Sequence, residues 1–397
     1  MNGLIAPSDV KITSDVEVSL SCVQKHLRDA VDLLLLGNKE QGIEVILSAY
    51  QLFNEYACSC AYNPEWKVSS ESTRQWDSAF AALLGLTAQL IKEPSLIKGL
   101  MKILSGREID QEIREVLYIV ASGGEYKYRT LFVTLAVGIL CSLFYPTEVH
   151  GNRSVTGCGC GKFAEADILE SYTKDRPFPL EPLVDGVSSY VDEQLVKHNF
   201  AFSYTQAAYP IFWRFAASRG NAGLREPLKL AGTLASPYRS RYAYMGLWSA
   251  ELFDVAHQAC SDLYENFVLV VGPDNLCDEM LPSGGKFRYK GSAAKDVTHG
   301  FQNVADWSVI ETEDGIPVSE ELQRLSSILA PDAIDSGDLL TRIRCEMAIV
   351  NAAYALSVLP QNNEKSIETL KDEIKTKISN GEAAKKLEGL KSLACAE

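Results

Sequence analysis

No charged amino-terminal region followed by an apolar stretch opens this chain: it begins MNGLIAPSDVKITSD, which lacks both parts of a secretory signal. The ten cysteines (Cys22, Cys58, Cys60, Cys141, Cys158, Cys160, Cys260, Cys277, Cys345 and Cys395) are scattered, so the sequence offers no disulfide framework and a reducing, cytosolic setting is expected. Histidine is scarce, with five in 397 residues. No Ser-His-Asp arrangement, zinc-protease helix, dinucleotide fingerprint or paired-carboxylate motif appears, which leaves little material for acid–base chemistry. The expectation is a protein that is not an enzyme, with no catalytic residue, cofactor or metal.

Long apolar runs are also lacking. The one uncharged stretch, Thr130 to Thr147, reaches only the lower edge of spanning length and contains polar and small residues, so a helix buried on all sides is expected and membrane insertion is not. Basic excess is absent: the net charge of -14 argues against a general polyanion binder, although a basic groove inside an acidic shell is compatible with it. Internal repeats and strand-like alternation are nearly absent as well.

What is present is helical periodicity. Val18 to Leu36, Gln41 to Tyr56, Trp76 to Ile91 and Glu108 to Val120 repeat apolar residues at three- and four-residue spacing and stop at glycine or proline. The pattern breaks from about His150 to Pro182 and resumes through Phe202 to Ala217, Arg241 to His257 and Gly337 to Leu359. The expected division is an N-terminal arm (1–16), an N-terminal helical lobe (17–150), a hinge (151–182), a C-terminal helical lobe (183–360) with a long basic loop (271–296), and a C-terminal arm (361–397).

Two constellations bear on chemistry. Cys158 and Cys160 near His150 suggest a thiolate with an imidazole base or a partial zinc site, but a C-x-C with one histidine supplies at most three ligands, and a hinge that happens to contain thiols is the simpler reading. GCGCGKF fails as a phosphate loop, because no Ser or Thr follows the lysine and no strand is expected before the glycines. The other constellation is cationic. Lys127, Arg129, Arg153, Lys162, Arg214, Arg219, Arg239, Arg241, Lys286, Arg288 and Lys290 cluster where the chain is least regular, many beside aromatics as in YKYR, FWRF, PYRSRY and KFRYK. Cations next to aromatics suit single-stranded nucleic acid, since phosphates take the charge while bases stack on ring faces.

The stretch Tyr204 to Ala216 carries an aromatic, then Tyr209, Pro210, Ile211, Phe212, Trp213, Phe215 and Ala216. It resembles a signature of paramyxovirus nucleoproteins, in which a tyrosine, proline, two leucines, tryptophan, serine, aromatic and alanine follow an opening phenylalanine. Ser236, Tyr238, Tyr242 and Gly246 stand in the order of that family's second motif, and SPYRS is similar to a rhabdovirus segment. Three features depart from the relatives: Ala235 replaces a basic residue, AASRG a glycine-rich end, and a long disordered tail is missing.

The resemblance implies an all-α nucleoprotein of a non-segmented negative-strand RNA virus: two helical lobes with an RNA-binding cleft between them, plus terminal exchange arms. Its implied partners are single-stranded RNA, further copies of itself through those arms, and the viral phosphoprotein and polymerase. Its implied place is the virion nucleocapsid and the host cytoplasm, with the nucleus left open. The expected RNA contacts are Lys127, Arg129, Arg214, Arg239 and Arg241 with Tyr238 stacking, then Arg153, Lys162, Arg219, Lys286, Arg288 and Lys290. A coat protein of a flexible filamentous positive-strand virus, a Cys/His enzyme and a protein-binding helical scaffold are the alternatives.

Overall fold

Apolar residues at helical spacing bury one face of each of the first helices. The computed structural model describes residues 12–61, 71–105, 113–121, 133–152, 164–173, 187–216, 218–219, 226–275, 277–299 and 318–392. It opens with α1 (Ile12–Leu35), α2 (Lys39–Ala61), α3 (Glu71–Thr87) and α4 (Pro94–Ser105). Ile46, Tyr50 and Phe53 of α2, Trp76 and Phe80 of α3, and Ile97 and Leu100 of α4 meet in one core. Buried Tyr50 and Thr87 satisfy each other's hydroxyls at 3.0 Å, as buried polar groups require.

The next segment overturns the all-α expectation. Arg114–Ala121 is a strand, β1, third in a seven-stranded sheet ordered β3-β2-β1-β4-β5-β6-β7. Its other members are β2 (Thr147–Gly151), β3 (Phe200–Tyr204), β4 (Ser240–Gly246), β5 (Asn266–Val271), β6 (Gly284–Tyr289) and β7 (Lys295–Thr298). The strands β3, β2, β1, β4 and β5 run parallel, and β6 and β7 return antiparallel. Leu117, Ile119, Val149, Phe202 and Tyr244 face one core, whereas Tyr118, Val120, Ala243 and Met245 face the other, which also contains the N-terminal helices. Both faces are covered, so these strands read as continuous apolar runs and hide the period of two.

Helices fill both faces. On the first lie α5 (Val133–Cys141), buried along its whole length, and α13 (Leu339–Leu356); the remaining helices are α6 (Glu165–Tyr172), α7 (Val187–His198), α8 (Thr205–Ala208), α9 (Pro210–Arg214), α10 (Pro227–Leu234), α11 (Phe253–Cys260), α12 (Val318–Ile328), α14 (Ile367–Ser379) and α15 (Glu382–Gly389). Among the described residues no helix is long and apolar enough to cross a membrane. The segment read as a C-terminal exchange arm instead folds back: Leu370, Ile374, Ile378 and Leu387 are buried in the same core as α5 and α13.

The Tyr-Pro-x-x-Trp stretch has a structural task. Pro210 occupies the first position of α9, where its missing N–H costs nothing. Phe215 stacks on Phe80 at 4.1 Å and meets Phe53 edge-on at 5.3 Å, and Arg214 bonds Asp77 at 2.9 Å. This segment therefore ties the sheet-bearing part of the chain to α2 and α3. Three phenols complete the framework by capping the end of α10: Tyr118 donates to the carbonyls of Thr233 and Ala235, Tyr209 to Ala235, and Tyr264 to Leu234, all at 2.5–3.1 Å. They satisfy carbonyls that a helix terminus otherwise leaves orphaned.

Candidate functional site

The strand order reverses beside β1: β2 and β3 lie on one side of it and β4 and β5 on the other. In a parallel sheet such a reversal opens a crevice beyond the carboxyl ends of the strands, where ligands bind. Ala121 and Gly246 pair at the ends of β1 and β4 and mark the mouth of that crevice. In sequence β1 runs into Ser122-Gly123-Gly124-Glu125 and β2 into Asn152-Arg153. Asn152 is exposed; 122–132 and 153–163 lie outside the described residues. The strand β2 does precede the GCGCGKF glycines, contrary to the sequence expectation.

Beyond β5 the chain makes a tight turn that carries Asp278 and Glu279. The N–H of Gly272 donates to the carbonyl of Cys277 at 2.9 Å, and the Cys277 thiol donates to the carbonyl of Glu279 at 3.1 Å. Burial pushes that thiol well above its ordinary pKa, so it serves as a packed donor rather than a thiolate nucleophile. The turn lies directly on the end of β4: a Cβ at Gly246 would stand 2.0 Å from the carbonyl oxygen of Asp278, closer than any real contact. Asp278 is 1% exposed and Glu279 half-buried, in a turn that rests on the end of β4 at the mouth of the crevice.

Across the sheet, β2 and β3 contribute a buried polar chain. Glu148, fully buried, accepts hydrogen bonds from Ser203 at 2.6 Å and from Ser236 and Ser240 at 3.1 Å each. Ser203 Oγ also lies 3.3 Å from Nδ1 of His150, whose Nε2 is 3.0 Å from Thr205 Oγ. The Thr205 hydroxyl in turn donates to the carbonyl of Gly151 at 2.8 Å, so the imidazole is held by side chains at both of its nitrogens. Burial pushes the His150 pKa down to about 3. The ring is thus a neutral fixture at the root of the segment that leaves β2.

The cations expected to line a cleft are dispersed. Lys127, Arg129, Arg153 and Lys162 lie outside the described residues. Arg214 is held by Asp77, and Arg219 by Glu226 at 3.0 Å with Phe212 beneath its guanidinium. Tyr238 is buried under Arg114 and bonds Asp192. Arg239 precedes β4 with a φ of 64°, and Arg241 pairs with Glu115 and Glu265 at the same end of the sheet, opposite the crevice. Lys286 pairs with Asp296, Arg288 with Asp254, and Lys290 donates to the carbonyl of Tyr264. Asp278, Glu279 and Asn152 went unread in the sequence; the available signal was an acidic pair in a turn-rich segment directly after the apolar run NFVLVV.

No family model matches the chain. An anthranilate phosphoribosyltransferase of Sulfolobus acidocaldarius is 27% identical over 207 residues, which is 52% of this chain and 56% of the relative. The TrpCD tryptophan biosynthesis protein of Archaeoglobus fulgidus is 26% identical over 388 residues, 92% of this chain and 63% of the relative. The matched part therefore spans little more than half the length of these curated relatives. The anthranilate phosphoribosyltransferase of Saccharomyces cerevisiae, solved in complex with PRPP and Mg, superposes with a TM-score of 0.71 at 14% identity over 92% of this chain and 97% of that one.

The chain has the fold of anthranilate phosphoribosyltransferase. That fold, with its helical part and mixed sheet, replaces the bilobal all-α architecture. The viral resemblance is overturned with it, since the relatives are cellular biosynthetic proteins. The same relatives overturn RNA encapsidation, the coat-protein alternative, the viral partners, the virion location and the expectation of a non-enzyme. What the nucleoprotein motif matched was an aromatic packing pattern within the anthranilate phosphoribosyltransferase fold.

Proposed function

We propose that this chain transfers the 5-phosphoribosyl group of PRPP to the amino group of anthranilate. The observation that carries the reading is the agreement of fold across the helical part and the sheet with a protein solved with PRPP and Mg, together with a relative matching 92% of this chain. The crevice supports it chemically. A glycine pair directly after β1 and Arg153 just beyond β2 are residue types that take phosphate through backbone N–H groups and a guanidinium fork.

A magnesium ion bound with a phosphate-rich ligand needs only one or two protein carboxylates, because phosphates and water supply the rest. Asp278 and Glu279 fit that demand. Among the described residues no cluster of three or more His, Cys, Asp or Glu could hold a metal ion. When bound, magnesium would neutralise charge on the pyrophosphate. In the transfer the amine nitrogen forms a bond to C1 of the ribose, the C1–oxygen bond breaks with its electron pair leaving on pyrophosphate, and the amine sheds a proton to water. The protein's part is to orient the two reactants and to exclude competing water.

Anthranilate is fluorescent, so the purified chain with PRPP and MgCl2 should extinguish its emission at a rate proportional to enzyme and release one pyrophosphate per anthranilate lost. Retained fluorescence at millimolar PRPP, with no heat of PRPP binding by calorimetry, would refute the reading.

A further inference from the structure

The Asp278–Glu279 turn is gripped from below by one side chain. Asn351, in the middle of α13 and fully buried, donates through Nδ2 to the carbonyl of Met280 at 2.8 Å, while its Oδ1 accepts the N–H of Met280 at 2.8 Å. The second Nδ2 hydrogen goes to the carbonyl of Met347 at 2.7 Å, and Oδ1 also accepts the hydroxyl of Tyr244. Every hydrogen-bonding capacity of the amide is therefore used, and two of the four bonds clamp both backbone groups of a single residue.

We propose that Asn351 is the positioning residue of the acidic turn: it fixes Met280 so that the adjoining carboxylates of Asp278 and Glu279 face the crevice together. The inference rests on the phosphoribosyl-transfer reading and deepens it. Neither a helix nor a turn needs an asparagine here for its own sake. Asparagine is a middling helix former, and a buried amide is costly unless fully paired, so its presence calls for partners outside its own helix. Those partners are the turn and the strand on which it rests. Gly246 completes the device, since only a residue without Cβ lets the turn lie on the end of β4.

The arrangement gives a stiff acidic site. A carboxylate pair shared with a diphosphate must meet the cation within a narrow range of distance. The two bonds hold the two peptide planes that flank Met280, so neither plane can turn over without breaking one of them. Leucine at 351 keeps the branched shape of the side chain without its hydrogen-bonding groups and leaves Met280 free to turn over.

The full chain is titrated with Mn2+ in the presence of PRPP and followed by electron paramagnetic resonance of free Mn2+, alongside thermal unfolding. Asn351→Leu should weaken Mn2+ uptake about fivefold, a change that a purely structural role would not produce. Ala355→Gly, one turn further along α13, lowers the melting temperature as a helix-interior glycine does but should keep wild-type Mn2+ affinity. If Asn351→Leu does not fold, Asn351→Ser, too short to reach both groups of Met280, carries the same expectation. Wild-type Mn2+ affinity in the folded variant, or an equal loss in Ala355→Gly, overturns the positioning role alone. A wild-type chain that takes up no Mn2+ with PRPP overturns the phosphoribosyl reading, and this inference with it.

Discussion

Replacing Gly246 with alanine is expected to cost about 3 kcal/mol of stability and to weaken Mg2+-dependent PRPP binding tenfold or more. The added Cβ would stand 2.0 Å from the carbonyl oxygen of Asp278, and that oxygen belongs to backbone, so no side-chain rotation relieves the clash. Either the turn lifts from the sheet or β4 gives way. Because β4 is paired on both sides, the turn is the part that yields, straining the bonds by which Asn351 holds Met280. Urea unfolding and PRPP calorimetry on the same preparation check the two effects. Stability within about 0.5 kcal/mol of wild type and unaltered binding would show that the turn does not rest on Gly246.

The second large effect is a pH dependence. His150 is neutral in the folded protein down to about pH 3 because burial disfavours its charge, whereas in the unfolded chain it titrates near its ordinary value of 6.5. Above pH 6.5 both states are neutral and the residue leaves stability independent of pH. Below it the unfolded state binds a proton that the folded state refuses, so stability falls as pH falls, until the folded pKa is reached. The slope for one such proton is about 1.4 kcal/mol per pH unit. Between pH 6.5 and pH 4.5 His150 should therefore remove roughly 2 to 3 kcal/mol. His150→Gln should be less stable than wild type at pH 7.5, having lost its contacts with Ser203 and Thr205, yet should lose less on acidification. Urea midpoints across that range decide it: parallel acid limbs for the two proteins would mean that His150 is protonated in the fold.

Parts of this architecture are legible in the sequence, and the reason is period. In α2 the buried residues Ile43, Ile46, Tyr50, Phe53 and Ala57 recur at three and four, and nothing else in the segment competes with that pattern. Within the stretch Thr130 to Thr147 the expected buried helix is α5, buried from end to end, although it stops at Cys141 and Thr147 already belongs to β2. The strands are another matter. Val116 to Val120 is buried on both faces of the sheet, so no polar residue marks alternate positions and five apolar residues in a row satisfy a helical template equally well. The same ambiguity absorbed β3 and β4 into helices that in fact begin only at Thr205 and Phe253.

The site was harder to read for a different physical reason. Its residues come from segments far apart in sequence, after β1, β2 and β5, and only the parallel order of the sheet brings those ends to one edge. Without the strands, HGNR and CDEM are isolated polar words in loops. The conspicuous cations beside aromatics misled in a complementary way: Arg214 and Arg219 lie beside rings because their stems and guanidinium planes pack in the core, where Asp77 and Glu226 neutralise them. A cation next to an aromatic in sequence says that both are near a surface of the core, and leaves the sign of the surrounding field undetermined.

The central claim is that the ligand-binding edge of this protein lies at the carboxyl ends of its parallel strands, with Asp278 and Glu279 as its cation-binding carboxylates. Anomalous diffraction from crystals grown with Mn2+ and PRPP tests it most directly. The account predicts one strong Mn2+ peak within coordination distance of a carboxylate oxygen of Asp278 or Glu279, with diphosphate density beside it. A peak at the opposite edge, near Arg239 and Arg241, or PRPP bound with no metal at the acidic turn, would contradict it.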